Sequence, residues 1–279
     1  MTTVGSIMSR RIMTVSPLDS VRKAAEMMNE FRVGCLPVID GGRLAGIITS
    51  RDVRHSHPNR LVVDAMSKDL VTVTPSCSIW DAAEMLERYG IERLVVAENG
   101  NLLGIVTKRQ LYHELGKHVD SLTGLNRAGY LYYIIGKLIR NNAALAIIFI
   151  DLDGFGEIDK KHGHITGDEV LRRVGLVIKA HVEENLDYPC RYAGDEFAVV
   201  TVRPATAVEE YALKIVNAIA DNDWHGGMKI TASAGVISWQ PAVNSNCDVQ
   251  KLVNIASLAS TRAKKKGVPV VTVDCTDNL

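Results

Sequence analysis

Apolar and polar positions near the start of the chain follow two periods that predict a helix and then two strands. Val21, Ala24, Ala25 and Met28 are spaced as they would be on one face of a helix. Two short apolar segments follow, and residues 40–42, with the sequence Asp-Gly-Gly, separate them. Because glycine tolerates the positive φ angles of a tight turn, this stretch predicts a β-hairpin.

The same pattern returns after 58 residues without a gap, so residues 8–54 and 66–112 are two copies of one unit. A helix with a single hairpin cannot bury its apolar face alone. We therefore expect the copies to pack about a pseudo-twofold axis, with two clefts between them. The aligned segments are 14–17 (TVSP) with 72–75 (TVTP), 24–27 (AAEM) with 82–85 (AAEM), and 46–49 (GIIT) with 104–107 (GIVT).

On these motifs, residues 1–112 resemble a tandem pair of CBS domains, a Bateman module. The resemblance implies an adenosine-containing ligand, an adenine nucleotide or S-adenosylmethionine, whose ribose is held by a G-x-x-T-x-x-D stretch. Copy one carries this stretch as Gly46, Thr49 and Asp52, whereas copy two ends it with Gln110. A carboxylate accepts hydrogen bonds from both ribose hydroxyls and glutamine carries no charge, so we expect one competent adenosine site.

In that site Thr49 and Asp52 are expected at the ribose and Arg51 near a phosphate, with the other copy against the base. An alternative is that Thr49 only caps the helix that follows and Asp52 occupies its first turn, where acids are favoured. The residues expected to contact the ligand are Thr49, Arg51, Asp52, Thr72, Val73 and Ile91.

The pattern changes after residue 112. Residues 113–127 predict a short helical connector with a break at Gly116. Residues 143–150 are all apolar, which is typical of a strand buried on both faces.

This strand ends abruptly in acids. Asp151 and Asp153 follow it, and further on Gly194 predicts a turn that lifts Asp195 and Glu196 out of a hairpin. If the hairpin lies beside the strand, four acids converge, and without basic partners they are stable together only around a metal ion. An ordinary polar turn at Asp151 is the simpler alternative.

Residues 120–273 resemble a GGDEF domain, the diguanylate cyclase fold, on the motifs 120–125 (DSLTGL) and 193–197 (AGDEF). The resemblance implies a central sheet flanked by helices, and two domains in a homodimer that condense two GTP molecules into cyclic di-GMP. It also implies Mg²⁺ or Mn²⁺ held by Asp151, the Leu152 carbonyl and Asp195. The catalytic residues implied are Asp195, Glu196 and Lys264, and the substrate-binding residues are Phe155, Gly156, Asp159, Asp168 and Gly194.

Several positions depart from the family pattern. Ala193 replaces the first glycine of the signature, Gly156 and Val268 stand where cationic phosphate partners are usual, and Asp159 replaces a guanine-reading asparagine. Each lost charged hydrogen bond costs about 1.5–3 kcal/mol of binding, so we expect a weak or slow cyclase. The alternative is an inactive GGDEF domain that binds nucleotide as a signalling module. Glu184 stands where the product-inhibition motif needs an arginine, so we expect no feedback inhibition through that site.

Composition excludes several other classes of protein. The 32 basic and 32 acidic residues give no net charge, so a nucleic-acid partner is not expected. The five cysteines form no disulfide framework, and no apolar run approaches the ~20 residues of a membrane span. We expect a cytoplasmic α/β and α+β protein: a CBS pair of β-α-β-β-α units over 1–112, the connector over 113–127, and a cyclase-like GGDEF domain over 128–279.

Overall fold

The computed structural model of the protein describes residues 2–224, 227–241 and 248–274. The chain divides into two compact units, Met1–Lys117 and His118–Leu279. Both units combine helices with strands, which confirms the predicted fold class.

The first unit contains one set of elements twice, as the repeat predicts. Helix α2, strands β1 and β2 and helix α3 recur 58 residues later as α5, β4, β5 and α6. In chain order the elements are α1 (Val4–Ile7), α2 (Val21–Phe31), β1 (Cys35–Asp40), β2 (Arg43–Thr49), α3 (Ser50–Arg54), α4 (Val62–Ala65), β3 (Thr72–Val73), α5 (Ile79–Tyr89), β4 (Arg93–Glu98), β5 (Asn101–Thr107) and α6 (Lys108–Gly116).

The two hairpins close through the turns that the sequence predicts. Gly41 and Gly42 have φ angles of 54° and 83°, and Asn99 and Gly100 have φ angles of 53° and 80°. Positive φ at both central residues gives a turn whose twist matches that of paired strands. β1 pairs with β2, and β4 with β5, in antiparallel register.

Each copy is completed by a segment that precedes the other copy. Val62 of α4 packs into the core of copy one with Val15 and Val21. The residue after α4 also contacts copy one, since a Cβ at Gly46 would meet the Met66 Sδ at 2.6 Å, and Gly104 meets Met8 in the equivalent way at 2.5 Å. The glycine of each G-x-x-T stretch therefore admits a methionine.

The second unit is a six-stranded sheet between two layers of helices. The strand order is β11-β10-β7-β9-β8-β6, with β7 inside the sheet. Its elements are β6 (Asn126–Arg127), α7 (Ala128–Arg140), β7 (Leu145–Leu152), α8 (Phe155–His162), α9 (His164–His181), β8 (Asp187–Ala193), β9 (Glu196–Thr201), α10 (Ala205–Ala220), β10 (Ala232–Trp239), α11 (Val249–Lys266) and β11 (Val270–Val273).

Strand β7 extends further than its apolar run. It continues through Asp151 and Leu152, because Asp151 pairs with Glu196 of β9 and Leu152 with Ala232 of β10. Alternate residues of β7, Ile148 and Ile150, are fully buried in the core that also contains side chains of α9 and α10.

Helix α11 lies directly on β10 at a glycine. A Cβ on Gly235 would meet the Ala256 carbonyl oxygen at 2.2 Å and the Ser260 nitrogen at 2.3 Å. Backbone atoms cannot yield as a flexible side chain can, so this position requires glycine. The close packing fixes the last turns of α11 beside the ends of β7 and β10.

Among the described residues, Cys35, Cys77 and Cys190 are free thiols, and Cys247 and Cys275 lie outside the described part. Within the same part of the chain, every helix is too short or too polar to cross a lipid bilayer.

Candidate active site

Three acids meet where β7 ends beside the β8–β9 hairpin. Asp151 and Glu196 are directly paired in register, and the Leu152 N–H donates to the Asp195 carbonyl at 3.4 Å. Gly194 has a φ of 48°, the left-handed conformation expected for the turn. The backbone thus brings Asp151, Asp195 and Glu196 together at one edge of the sheet.

The pKa values of two of these acids are raised. Burial raises the pKa of Asp195, and the nearby negative charge of Asp151 raises it further. Burial likewise raises the pKa of Glu196, and the charges of Asp151 and Asp195 add to the effect. Both carboxyls therefore lie where additional positive charge would stabilise their ionised forms.

A lysine from α11 supplies part of that charge. The Lys264 Nζ lies 2.5 Å from the Asp151 Oδ1 and donates to the Leu152 carbonyl at 3.0 Å. The expectation that the acids gather without basic partners is therefore wrong for Asp151. The Lys264 ammonium group therefore contacts two of the predicted metal ligands, the Asp151 carboxylate and the Leu152 carbonyl.

The oxygen atoms around Lys264 suit a hard divalent cation. Asp151 and Leu152 offer a carboxylate and a backbone carbonyl that already converge on one positive charge, and Mg²⁺ prefers oxygen donors of these kinds. Over residues 2–224, 227–241 and 248–274, however, no three His, Cys, Asp or Glu side chains lie close enough together to bind a metal. The predicted metal ligands include the main-chain carbonyl of Leu152 as well as the side chains of Asp151 and Asp195.

The fourth acid is held elsewhere. The Asp153 carboxylate accepts hydrogen bonds from the Thr231 hydroxyl at 2.8 Å and the Ser233 hydroxyl at 3.0 Å. It ties the end of β7 to the start of β10, which leaves three acids at the hairpin rather than the four expected.

The signature turn is braced by an arginine that the sequence did not identify. Arg191 donates to the Gly194 carbonyl from Nε and Nη2, at 2.9 and 2.7 Å, and its Nη1 lies 3.0 Å from the Asp120 Oδ1. Burial tends to raise the pKa of Asp120, but hydrogen bonds from Thr123 and Arg191 outweigh it and the pKa is lowered. The motifs 120–125 and 193–197 are evident in the sequence, but Arg191 lies outside both of them.

The predicted base-reading residues lie at the junction of α8 and α9. The Asp159 Oδ2 is 2.6 Å from the His164 Nδ1, and a Cβ on Gly167 would meet the Asp159 Oδ1 at 2.3 Å. Asp168, the next residue of α9, lines a cavity of about 550 Å³ together with Ile165. Asp159 does not line this cavity, so the structure does not bring the two predicted base-reading side chains to one pocket.

The start of α8 offers backbone donors. Gly154 precedes the helix with a φ of 65°, and no side chain caps the first turn, in which Phe155 and Gly156 lie. A helix N-terminus with free N–H groups can bind an anion. Gly156 has open space around its Cβ position, so its lack of a side chain is not required by packing.

The first unit has a cleft, called the first cleft here, at the predicted adenosine site. It is a cavity of about 430 Å³ whose lining includes Thr49, Arg51 and Ile91, whereas Asp52, Thr72 and Val73 do not line it. In place of Thr72 and Val73, the residues just before β3, Asp69, Leu70 and Val71, line the first cleft together with Ile91.

Thr49 and Asp52 form a capping box at the start of α3. The Asp52 Oδ2 accepts from the Thr49 N–H at 2.8 Å and from its hydroxyl at 2.7 Å, and Thr49 caps the Asp52 N–H. Gln110 forms the same box with Thr107, and its amide also donates to the Ser9 hydroxyl at 3.0 Å. The helix-capping role therefore holds in both copies. Only copy one has a charged residue, Asp52, at the capping position.

A second cleft of about 260 Å³ lies at the equivalent place in copy two and is lined by Arg11, Arg32 and Thr107. Arg93 lines both clefts, and its Nη1 donates to the Gly34 carbonyl at 2.5 Å. No sequence signal had marked Arg93.

Comparison with known families decides what these two units are. The model of the family "Diguanylate cyclase, GGDEF domain" matches residues 117–268, and the model of the CBS domain matches residues 4–58 and 62–117. The chain belongs to the GGDEF family, with two CBS domains ahead of the GGDEF domain.

Relatives resemble the CBS and GGDEF parts separately. Diguanylate cyclase DosC of Escherichia coli K12 is 31% identical over 178 residues, covering 58% of this chain and 37% of DosC. Inosine-5'-monophosphate dehydrogenase of Korarchaeum cryptofilum is 43% identical over 110 residues, covering 39% of this chain and 23% of the enzyme. The chain thus spans well under half of the length of either relative.

A solved structure has the same fold over most of the chain. The coiled coil and GGDEF domain of DgcB from Caulobacter crescentus, crystallised with c-di-GMP, superposes with a TM-score of 0.53 at 19% identity, covering 70% of this chain and 97% of that one.

The GGDEF signature tolerates its alanine. Positive φ angles occur at four described non-glycine residues, Arg32, Asn99, Asn142 and Asn185, and Ala193 is not among them. Ala193 instead lies in β8, paired with Glu196. Because this conformation suits any residue, replacement of the first signature glycine introduces no backbone strain.

Proposed function

We propose that the GGDEF domain condenses two GTP molecules into cyclic di-GMP and two pyrophosphates, slowly or with weak substrate binding, and that an adenosine ligand in the CBS module regulates it. The observation that carries the proposal is the convergence of the Asp151 carboxylate and the Leu152 carbonyl on one cation, beside Asp195 and Glu196. These groups perform the chemistry, whereas the departures from the family pattern affect substrate binding.

Asp151, the Leu152 carbonyl and Asp195 would hold Mg²⁺ or Mn²⁺. Such ions, when bound, neutralise the triphosphate and lower the pKa of an attacking hydroxyl. In each half-reaction the 3′-oxygen of one GTP bonds to the α-phosphorus of the other, and the bond to the β-phosphate oxygen breaks. Glu196 is our candidate to take up the hydroxyl proton.

The remaining residues position the substrate. The backbone N–H groups of Phe155 and Gly156, and the turn at Gly194, would bind phosphate oxygens. The Asp168 carboxylate would accept from N1–H and N2–H of guanine. Because each GTP must face another, the proposal includes a homodimer, for which closed twofold pairing is the commonest symmetry.

The regulatory ligand is proposed to be an adenine nucleotide or S-adenosylmethionine in the first cleft. Of the predicted contacts, Thr49, Arg51 and Ile91 line this cleft, whereas Asp52 and Thr72 are next in sequence to lining residues and Val73 follows Thr72. Asp52 carries both of its hydrogen bonds from Thr49 on Oδ2, so the Oδ1 of the same carboxylate is the atom we assign to the ribose. The free thiols of the described cysteines suit a reducing compartment, and the proposal places the protein in the cytoplasm.

The test is to incubate the full chain with GTP and Mg²⁺ and to detect cyclic di-GMP by mass spectrometry. The expected result is slow formation of product in the wild type and none in Asp195→Ala. A parallel reaction with ATP tests the substrate, since Asp159 alters the base-reading set.

A second candidate function is an inactive GGDEF domain that binds nucleotide as a signalling module. The positions that favour it are Gly156, Asp159 and Val268, which lack the usual substrate contacts. Measurable GTP binding without any product at high protein concentration would support this candidate and refute the cyclase.

A further inference from the structure

Lys264 occupies the position that a divalent ion would need. Its ammonium nitrogen is 2.5 Å from the Asp151 carboxylate and 3.0 Å from the Leu152 carbonyl, which are two of the three predicted metal ligands. A divalent ion that binds both oxygens must displace the ammonium, because the two charges would otherwise repel each other at close range.

The backbone that carries Lys264 is fixed, but its side chain is long and partly exposed. Ala263 and Ser260 of α11 are buried, and the helix rests directly on β10 at Gly235. The Lys264 side chain is 38% exposed, and four rotatable bonds separate the charge from the helix. The ammonium can therefore leave Asp151 without any movement of α11.

The single charge of Lys264 is too small for the site. Asp151, which Lys264 contacts, is paired in register with Glu196, and Asp195 directly precedes Glu196, so the backbone places three acids beside one ammonium. A divalent ion neutralises the cluster better than the ammonium does. The ammonium, however, must gain another anion if it is to leave at little cost, and a bound triphosphate is such an anion.

We propose that Lys264 is the resident cation of the metal site in the nucleotide-free protein, so that divalent ions bind together with the nucleotide rather than before it. The inference rests on the metal site of the proposed function. Lys264 exchanges Asp151 for a phosphate when nucleotide arrives, and the metal takes its place. The lysine thereby prevents the site from holding metal without substrate.

The test is a titration of the full chain with Mn²⁺ in the absence of nucleotide, with free Mn²⁺ measured by electron paramagnetic resonance. Lys264→Gln removes the charge and is expected to bind Mn²⁺ at least tenfold more tightly than the wild type. Lys265→Gln removes the neighbouring charge of the same helix and should behave as the wild type. Lys264→Arg keeps a cation and should retain weak binding.

Adding GTP provides the second arm. In the wild type GTP should tighten Mn²⁺ binding strongly, whereas in Lys264→Gln the gain should be much smaller because no ammonium has to be displaced. Asp151→Asn in the Lys264→Gln background should abolish the tight binding, which locates it. Circular dichroism confirms that each variant is folded.

Unchanged or weaker Mn²⁺ binding by Lys264→Gln without nucleotide overturns the inference, and so does an absence of binding in both proteins. This result is distinguishable from failure of the proposed function, because Mn²⁺ binding is measured without turnover. A protein that makes cyclic di-GMP but fails this titration refutes only the role of Lys264.

Discussion

At the scale of single residues, the Asp159 carboxylate, predicted to contact the base, is paired with His164. Asp159 is three-quarters buried and its side chain contacts His164, whose own side chain is 92% exposed. Gly167 leaves the space that Asp159 occupies. An ionised Asp159 therefore offers only acceptor atoms at the predicted base-reading position, where an asparagine would supply a donor.

Asp159→Asn is predicted to strengthen GTP binding by about two- to tenfold, because one added hydrogen bond contributes about 0.5–1.5 kcal/mol. Asparagine keeps a carbonyl acceptor for His164 and supplies the missing donor. Isothermal titration calorimetry with GTP and Mg²⁺ measures the change. Glu157→Gln, which removes an exposed charge from the same helix, is the control, and equal affinity in Asp159→Asn and wild type would contradict the assignment of Asp159 to the base.

At the scale of elements, the β8–β9 hairpin is anchored by a buried acid at its open end. The fully buried Asp187 side chain is 2.7 Å from the Arg203 Nη2, and it also accepts from the Thr201 and Tyr211 hydroxyls. Burial tends to raise the pKa of Asp187, but these hydrogen bonds outweigh it and the pKa is lowered. Asp187 is thus committed to internal partners.

Asp187→Asn is predicted to destabilise the second unit by about 1.5–3 kcal/mol at pH 7, since it leaves Arg203 with the exposed Glu183 as its remaining counter-charge. Because the folded pKa of Asp187 is lowered, its contribution is present above the ordinary Asp value of about 3.9 and is lost as the pH falls below it. Urea unfolding of wild type and variant between pH 2 and 7 checks this. A stability difference that stays constant over that range would contradict the role of the ionised carboxylate.

The local sequence pattern predicted helices, strands and turns better than it predicted contacts between residues distant in the chain. The hairpins of the CBS copies were predictable because apolar spacing and the turn residues Gly41 and Gly100 agree. The acids at the end of β7 were predictable because the apolar run of this buried strand stops at Asp151. The placement of Lys264 on Asp151 was not, because the two residues lie 113 positions apart and only the packing of α11 on Gly235 joins them.

The completion of each CBS copy by α1 or α4 was also not predictable. The repeat gives the same local pattern whether each short helix packs on its own copy or on the other one. The pairing is decided by tertiary contacts: a methionine fills the space at Gly46 and at Gly104, and Val62 packs with Val15 and Val21.

At the scale of the whole molecule, a pair of CBS domains precedes a GGDEF domain. The two copies of the module share one capping box, but only Asp52 is charged, and Gln110 holds its equivalent place with the amide bound to Ser9. Copy two thus shows that glutamine can replace Asp52 and still cap the helix, because Gln110 forms the capping box with Thr107.

Asp52→Gln is predicted to abolish binding of AMP, ADP, ATP or S-adenosylmethionine while changing the free energy of unfolding little. Thermal shift with each ligand identifies the one that stabilises the wild type. That ligand should change the rate of cyclic di-GMP formation in the wild type and not in Asp52→Gln. Gln110→Asp should raise the calorimetric stoichiometry from one ligand per chain towards two.

Ligand binding by Asp52→Gln that equals the wild type would contradict the ribose assignment. So would a wild-type stoichiometry of two, because the second cleft lacks the acid.

The most direct test of the account is anomalous diffraction from crystals grown with Mn²⁺ and a slowly reacting GTP analogue. The predicted result is a manganese peak within bonding distance of the Asp151 and Asp195 carboxylates and the Leu152 carbonyl, with the Lys264 ammonium on a phosphate. A peak bound by other residues, or nucleotide density with no metal touching both carboxylates, would contradict it.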